Sequence, residues 1–508
     1  MIDVNYPSSA RFEAVQSASY GLHWFRRDLR VVGNPGLAWS WKRHQGRVLG
    51  VFFFDHKFLS RPDFSHDRFG VFLRTLSSLK EELRRLGGDL LVLDEGPEPG
   101  WQKLKSVLQS NGISLPQSIS LNRDYEPFAR ERDARMSRLW SASGIEVHTE
   151  RDHLLLEPHE VQKDTSGFYQ VYSPYAKRWF EALHKPEVRA RVEEQKKAMH
   201  QADLRGEGEA QIFALTWEDL FQGKPSLEDH LDSFIKKNDL SVRVPMPDVG
   251  YRAALRRLRD FSGCIQKYGD QRDIPSIDGT SQLSIYLKNG SITAAQVMAE
   301  LDLLDEPLKS EGGRTKFLKE IVWREFYYSI LWNCPRVENE SFLQKYSQLA
   351  WENREDYFEA WKEGRTGFPI VDAGMRQLKE TGWMHNRVRM IVASFLTKDL
   401  LIDWKWGERY FMEKLLDGDL APNNGGWQWA ASTGVDPQPY FRIFNPALQS
   451  ERFDPEGKYI RKYVPELRDL PLKYLHQPEK QGRVKGYPMP IVDHAAQKAK
   501  ALALYKAP

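Results

Sequence analysis

The stretch TGWMHNRVRMIVASFLTKDLLIDWKWG at residues 381–407, with LLDGDLAPNNGGWQWAASTGVDP at 415–437 and QPYFRIFNP at 438–446, decides how this chain is read. Two polar clusters, His385–Arg389 and Asp417–Asn424, bracket an apolar run. That run is too mixed to cross a membrane and suits a buried helix. Trp404, Trp406, Trp427 and Trp429 crowd the same window. Burying this much Trp, Asn, Arg and Asp costs free energy unless every polar group finds a partner. The window is therefore either an aromatic helix pair with internally satisfied polar groups, or the wall of a cofactor or ligand pocket.

Working outward, 508 residues are too many for one core and imply two or three domains. A hydrophobic content of 41% and a charged content of 28% are ordinary for a globular chain. Sixteen Trp are not, and they suit stacking platforms for a flavin or a nucleobase as well as a large core. A net charge of +3 permits nucleic-acid binding without arguing for it, because local clustering decides. Cys264 and Cys334 are the two cysteines. They exclude a disulfide framework and a four-cysteine zinc or iron–sulfur site, and they point to the reducing cytoplasm. No metal site is expected. Residues 1–20 are polar, lack a signal-peptide core and read as a loose extension. No run approaches the ~18–20 apolar residues of a membrane span.

From Gly21, strands at 22–25, 48–54, 90–93, 118–121 and 146–148 alternate with helices at 35–44, 68–86, 100–109 and 127–141. This alternation predicts a doubly wound parallel α/β domain over 21–150. The first strand runs into Trp24-Phe25-Arg26-Arg27-Asp28-Leu29-Arg30 without a GxGxxG fingerprint. That basic loop lies beyond a strand's carboxyl end, where open sheets bind ligands. Residues 151–244 read as a charged, irregular interdomain connector, and 245–508 as an all-α domain.

Three further segments carry chemistry. Asp278-Gly-Thr280-Ser281-Gln282-Leu283-Ser284 looks like a helix N-terminus, whose free N–H groups favour phosphate, although such caps are commonplace. Glu320, Trp323, Arg324 and Tyr327 fall at i, i+3, i+4 and i+7 of one helix. They suit a ligand-facing stripe as well as a surface one. Asn386, Arg389 and Met390 form a second stripe, with Asp417 or Asp419 as carboxylate partners for Arg389. Asn423-Asn424-Gly425-Gly426 is a turn by composition.

Taken together, WMHNRVRMIVASFLTKDLLIDW, DGDLAPNNGGWQWAASTGVDP and PYFRIFNP resemble the photolyase/cryptochrome family, most closely the class I cyclobutane pyrimidine dimer photolyases. The likeness continues through WREF, WENRE, TGFPIVDAGMRQL and YIRKYVPELRDL and covers the chain from Gly21. The resemblance implies an α/β antenna domain and a helical domain holding FAD, acting as a monomer on UV-damaged DNA that contains pyrimidine dimers. It assigns Tyr268, Thr280, Ser281, Gln282, Leu283, Ser284, Arg389, Asp417, Gly418 and Asp419 to FAD, with Asn423 facing flavin N5. It assigns Glu320, Trp323, Asn386, Met390 and Trp429 to the flipped dimer, and Tyr327 to the wider substrate- and DNA-binding set. Of these, Glu320, Asn386 and Met390, with Asn423, are the implied catalytic set. Arg272, Arg324, Arg387 and Arg442 match DNA-facing positions, and Trp427, Trp404 and Trp351 match the family's electron-supplying tryptophan chain.

Within the family, (6-4) photolyases carry histidines where Asn386 and Met390 stand, and plant cryptochromes carry aspartate in place of Asn423. Many signalling cryptochromes also have a long tail, whereas about sixty residues follow PYFRIFNP here. A repair enzyme is therefore expected ahead of a blue-light receptor. Gln282 departs from the arginine common in relatives, and Pro422 from alanine. Asn122 and Glu126 match the antenna segment. The second chromophore is left open among a deazaflavin, methenyltetrahydrofolate, another flavin and none. A folate-binding relative would place a lysine near Glu338–Asn339, and this chain has none there.

Overall fold

Strands rich in Val, Leu, Ile and Phe, with both faces apolar, dictate a sheet covered on both sides. The computed structural model, which describes residues 19–164, 166–205, 211–238 and 242–506, has that sheet. The extension expected at 1–20 thus lies outside the described residues, apart from its last two. Strands β1 (Gly21–Trp24), β2 (Val48–Phe53), β3 (Leu90–Leu93), β4 (Ser118–Asn122) and β5 (Glu146–Glu150) form one parallel sheet in the order β3-β2-β1-β4-β5. Helices α1 (Pro35–Arg43), α2 (His66–Arg85), α3 (Pro97–Ser110) and α4 (Pro127–Ser141) make the crossovers. The central strands are buried throughout, and the edge strand β5 is partly exposed.

The connector is more ordered than its charged texture suggests. It contains α5 (Tyr172–Leu183), α6 (Pro186–Arg205), α7 (Trp217–Phe221) and α8 (Leu231–Lys237). Helix α5 buries Tyr175, Ala176, Trp179, Phe180 and Leu183, a helical period masked by the surrounding charge. Long α6 buries only Val188, Val192 and Met199, so its pattern is too sparse to read from sequence. Phe234 of α8 stacks on Phe54 at 3.8 Å and closes one side of the sheet layer.

From Gly250 the chain is helical: α9 (Gly250–Ser262), α10 (Tyr268–Gln271), α11 (Ser284–Asn289), α12 (Ala294–Glu300), α13 (Gly313–Asn333), α14 (Glu355–Lys362), α15 (Pro369–Thr381), α16 (Asn386–Ser394), α17 (Trp404–Lys414) and α18 (Leu420–Ala430). Helix α16 runs into a π-helical turn at Phe395–Asp399, and this whole apolar run is buried as expected. One sequence expectation fails locally, and another holds only in part. The Asn423–Gly426 segment is not a turn but the middle of α18. Tertiary contacts override its composition: Asn424 donates to the Val337 carbonyl at 2.9 Å, and a Cβ on Gly425 would overlap the Tyr327 ring of α13. The Thr280–Ser284 segment does lead into a helix N-terminus, that of α11 at Ser284, but its hydroxyls do not cap the helix: Gln282 is left-handed (φ 51°) and no side chain bonds the first turn.

Candidate cofactor and substrate site

A cleft of about 330 Å³ opens between α10, α11, α13, α16 and α18. It gathers Tyr268, Arg272, Thr280–Ser284, Glu320, Arg324, Asn386, Arg389, Met390, Asp417–Asp419, Asn423 and Trp427 from five separate stretches of sequence. Each approach has a local cause. Helix α16 begins at Asn386 because the His385 ring caps the Arg387 N–H, which turns Asn386, Arg389 and Met390 to the cleft. Pro422 sits in the first turn of α18, where a missing N–H costs nothing.

At one end the Arg389 guanidinium donates to both Asp417 oxygens, at 2.9 and 3.1 Å, and Ser284 Oγ donates to Asp417 at 2.7 Å. Arg389 therefore pairs with Asp417, while Asp419 belongs to a different network. Asp419 accepts from Arg27 at 2.9 Å and from the Tyr328 hydroxyl at 2.7 Å, and Arg324 lies 3.8 Å away. Burial alone would raise its pKa. Arg27, then Lys288 and Arg324, outweigh burial and hold Asp419 well below the usual carboxylate range. Asn423 Nδ2 donates to the Glu408 carbonyl at 3.1 Å. Burial, and then the Asp63 carboxylate, push the Glu408 side chain up to about 7.

The supposed stripe on α13 divides. Glu320 faces the cleft and pairs with Arg272 at 2.6 Å, and Arg272 also lies 5.2 Å above the Tyr268 ring. Arg324 also lines the cleft but turns inward, donating to the His153 ring at 2.6 Å and to the His153 carbonyl at 3.2 Å. This geometry does not suit the DNA-facing role expected of Arg324. Burial first, then Arg324 and Arg27, keeps His153 well below its ordinary pKa, so its ring is neutral and accepts. Trp323 is stacked at 3.7 Å under Tyr172 of α5, and Tyr327 packs against Gly425. Neither lines the cleft, contrary to the single-face reading.

Arg387 pairs with Asp273 at 2.8 Å, and Arg442 is exposed beside Phe441, which is 60% exposed. Trp427 is buried against the cleft, Trp404 is buried, and Trp351 is half-buried. Trp429 is half-buried and points elsewhere than Trp427. The two tryptophans thus part as their two-residue spacing on a helix requires. A Cβ on Gly407 would overlap the Trp427 ring. Gly407→Ala is expected to push that ring toward the cleft, costing about 1–3 kcal/mol. The check is flavin absorbance per protein after purification, which should fall, together with the urea midpoint.

A second cavity, of about 210 Å³, lies beyond the carboxyl ends of β1 and β2. Trp24, Phe54, Arg26, Arg61, Arg68 and Glu126 are among its walls. Glu126 therefore stands where the antenna segment was expected. Asn122 does not. Its amide donates to Asp28 at 2.7 Å and Asn34 at 2.8 Å and accepts from the Gly36 N–H at 3.0 Å, so its groups are spent holding the β1 loop.

The cleft's chemistry fits FAD. Thr280–Ser284 brings hydroxyls and backbone that would suit a diphosphate, Asp417 and Asp419 bring carboxylates that would suit ribityl hydroxyls, and a Cβ on Gly426 would meet open space. Residues 317–507 match the FAD-binding domain of DNA photolyase, and residues 21–195 match the DNA photolyase domain, a match that runs past the sheet into α6. A deoxyribodipyrimidine photo-lyase of Alkalihalophilus pseudofirmus is 37% identical, covering 95% of this chain and 97% of its own. The chain belongs to the DNA photolyase family. The class III photolyase of Agrobacterium tumefaciens superposes with a TM-score of 0.76 at 33% identity, covering 97% of this chain and 98% of that one. An archaeal photolyase from Sulfolobus tokodaii, solved with two FAD molecules, gives 0.73 at 32% identity, with 96% and 99% covered. This photolyase-family chain is an FAD enzyme, and among its described residues no helix is long and apolar enough to cross a membrane.

Sequence reasoning missed the polar hub of Arg27, His153, Tyr328 and Asp419 that backs the cleft. The signal available was the Arg26-Arg27-Asp28 loop, which was placed beside a pocket but not joined to the helical half.

Proposed function

We propose that this photolyase, acting as a monomer, repairs cyclobutane pyrimidine dimers in UV-damaged DNA, flipping the dimer into the cleft. The observation that carries this reading is the convergence of Glu320, Asn386, Met390 and Asn423 on one cleft with the Arg389–Asp417 pair. A dimer is poorly stacked, so extruding it costs only a few kcal/mol. When bound and reduced, FAD supplies the light-excited electron that splits the cyclobutane ring. Arg389, Asp417, Asp419 and the Thr280–Ser284 segment hold the cofactor, and Asn423 meets its ring edge. Glu320, released from Arg272 when DNA phosphate takes that guanidinium, stabilises the negative charge on a dimer carbonyl as a hydrogen-bond donor, through a proton it shares with that oxygen. Trp429 and Met390 give the dimer apolar contact, Trp323 reaches it if Tyr172 yields, and Arg387 and Arg442 take phosphates. Trp427, Trp404 and Trp351 return electrons to oxidised cofactor. The cavity at the strand ends, with aromatic walls and several arginines, suits a planar conjugated antenna bearing acidic groups. The second FAD of the Sulfolobus tokodaii protein supports a flavin there.

The test is light-dependent restoration of a thymine-dimer oligonucleotide by the reduced protein. Repair in light and none in darkness is expected. Bound FAD without repair would instead favour a blue-light receptor. Glu320→Gln is expected to lower the repair yield about tenfold or more while leaving flavin content unchanged, as for loss of a charge-stabilising group.

A further inference from the structure

A third cavity, of about 290 Å³, shares no residue with the cofactor cleft or with the cavity at the strand ends. Its walls come from α2 of the sheet domain, α6 of the connector and α9 of the helical domain. Val32 and Leu255, both buried, and Leu86 and Ala202, both half-buried, give it apolar surface. Five arginines join them: Arg85 on α2, Arg205 at the end of α6, and Arg252, Arg256 and Arg259 on α9. Glu82 and Asp203 are the carboxylates of the lining, so cations prevail. Arg259 is engaged by Asp203 at 2.6 Å and Glu300 at 2.8 Å, and Arg256 by Asp248 at 3.3 Å. Arg85 and Arg205 are exposed and form no hydrogen bond or ion pair among the described residues. Burial pushes the Glu82 carboxyl up despite Arg85, Arg252 and Arg205, so it opposes an anion less than a free carboxylate would.

Tyr251, on the same wall of α9, supplies an independent observation. It is 6% exposed, and its hydroxyl is buried without a hydrogen-bond partner. Buried hydroxyls are seldom left so, because an orphan has lost its water and gained nothing in exchange. Burial, and then Asp203 and Glu82, raise its pKa, so at neutral pH it is a donor. A donor with nothing to donate to, beside guanidiniums without counterions, calls for an anion rich in acceptor oxygens. We propose that this cavity is a nucleotide site separate from the cofactor cleft. It takes a nucleoside di- or triphosphate whose phosphates pair with Arg85 and Arg205 and accept from Tyr251, and whose nucleoside covers the apolar wall. A terminal phosphate, substituted on one side only, reaches a buried hydroxyl more readily than a phosphodiester held in a strand. The site therefore suits a free nucleotide better than a nucleic-acid backbone.

The experiment is isothermal titration calorimetry of the FAD-loaded full-length protein with ADP, ATP, GTP, pyrophosphate and adenosine, in magnesium-free buffer at low salt. The FAD-loaded form is needed because an empty cofactor cleft would itself take ADP. At least one of the nucleotides is expected to bind about tenfold or more tighter than pyrophosphate or adenosine, since phosphates and nucleoside both contribute. Arg85→Ala/Arg205→Ala should weaken that binding about tenfold or more, as for loss of charge-assisted bonds. Tyr251→Phe removes only the hydroxyl and should weaken it about threefold or more. Its urea midpoint should stay level or rise, because an orphan donor goes with the hydroxyl; a merely structural tyrosine would leave affinity unmoved. Absence of binding by all three nucleotides overturns the site, and so does binding that neither variant weakens. Pyrophosphate bound as tightly as the nucleotides overturns the nucleoside assignment. Displacement of the nucleotide by an equal phosphate concentration of undamaged single-stranded oligonucleotide makes the cavity a DNA contact and overturns the proposal.

Discussion

Replacing Arg27 by Ala is expected to lower the unfolding free energy by about 3–5 kcal/mol, as for stripping one member from a buried charge cluster. Arg27 leaves the sheet on the loop after β1 and ends among carboxylates: Asp419 at 2.9 Å, Glu126 at 2.5 Å and Asp124 at 3.7 Å. It also donates to Tyr328 at 2.9 Å and, through Nε, to the Lys288 carbonyl at 3.2 Å. One guanidinium thus ties the strand-end loop and the start of α4 to α11, α13 and α18. Without it, Asp419 and Glu126 are left in a buried site with Arg324, 3.8 Å from Asp419, and Lys288 as the remaining cations. The folded pKa of Asp419 then rises above its unfolded value, and that of Glu126, which burial already holds above it, rises further. The deficit is therefore full at neutral pH and shrinks as pH falls through those values. Asp419→Asn in the Arg27→Ala background should recover part of the loss, because no bare partner is left. Urea titrations at pH 7.5 and 5 measure both effects. A loss below about 1 kcal/mol at pH 7.5 would show that the cluster is solvated like a surface pair.

The sequence made the ends of this hub visible but not their meeting. Strand and helix periods placed β1 to β5 and α1 to α4 within a few residues, because each buries a regular apolar face. Arg389 with Asp417 was legible as complementary charges on separate motifs. Arg27 with Asp419 was not, since the two are 392 positions apart and only packing of the two halves joins them. Asn423–Gly426 misled for the same reason. Its composition states a local preference for a turn, and the Tyr327 and Val337 contacts that make it helical are tertiary. The α13 stripe misled differently. Spacing gave the right helix, but three helices crowd it, so Glu320 meets the cleft while Trp323 meets α5 and Tyr327 meets α18.

The neighbour of that stripe, Glu325, points the other way and governs the second large effect. It is 1% exposed and accepts the Leu155 N–H, the Leu156 N–H at 3.2 Å and Trp179 Nε1–H at 2.6 Å. It thereby fixes both the connector and α5 against the helix that carries Glu320 and Arg324. Glu325→Ala leaves three buried donors without an acceptor, each costing about 1–3 kcal/mol. A loss of roughly 3–5 kcal/mol is expected once the side chains relax. The carboxyl also carries a pH signature. Burial, only partly countered by the three donors, raises it from 4.5 to about 7. A carboxyl whose folded pKa exceeds its unfolded value contributes most below pH 4.5, and that contribution is lost as pH rises through about 7. Over this window the wild type should lose up to ~3 kcal/mol that Glu325→Gln does not lose. The comparison is made by urea unfolding at pH 5 and 8. If wild type and Glu325→Gln change in parallel, the carboxyl is already ionised at pH 5, and the three donors outweigh burial. In either case, loosening α13 moves Glu320 and Arg324 with it, so the repair yield of Glu325→Ala should fall with its stability although Glu325 touches neither cofactor nor substrate.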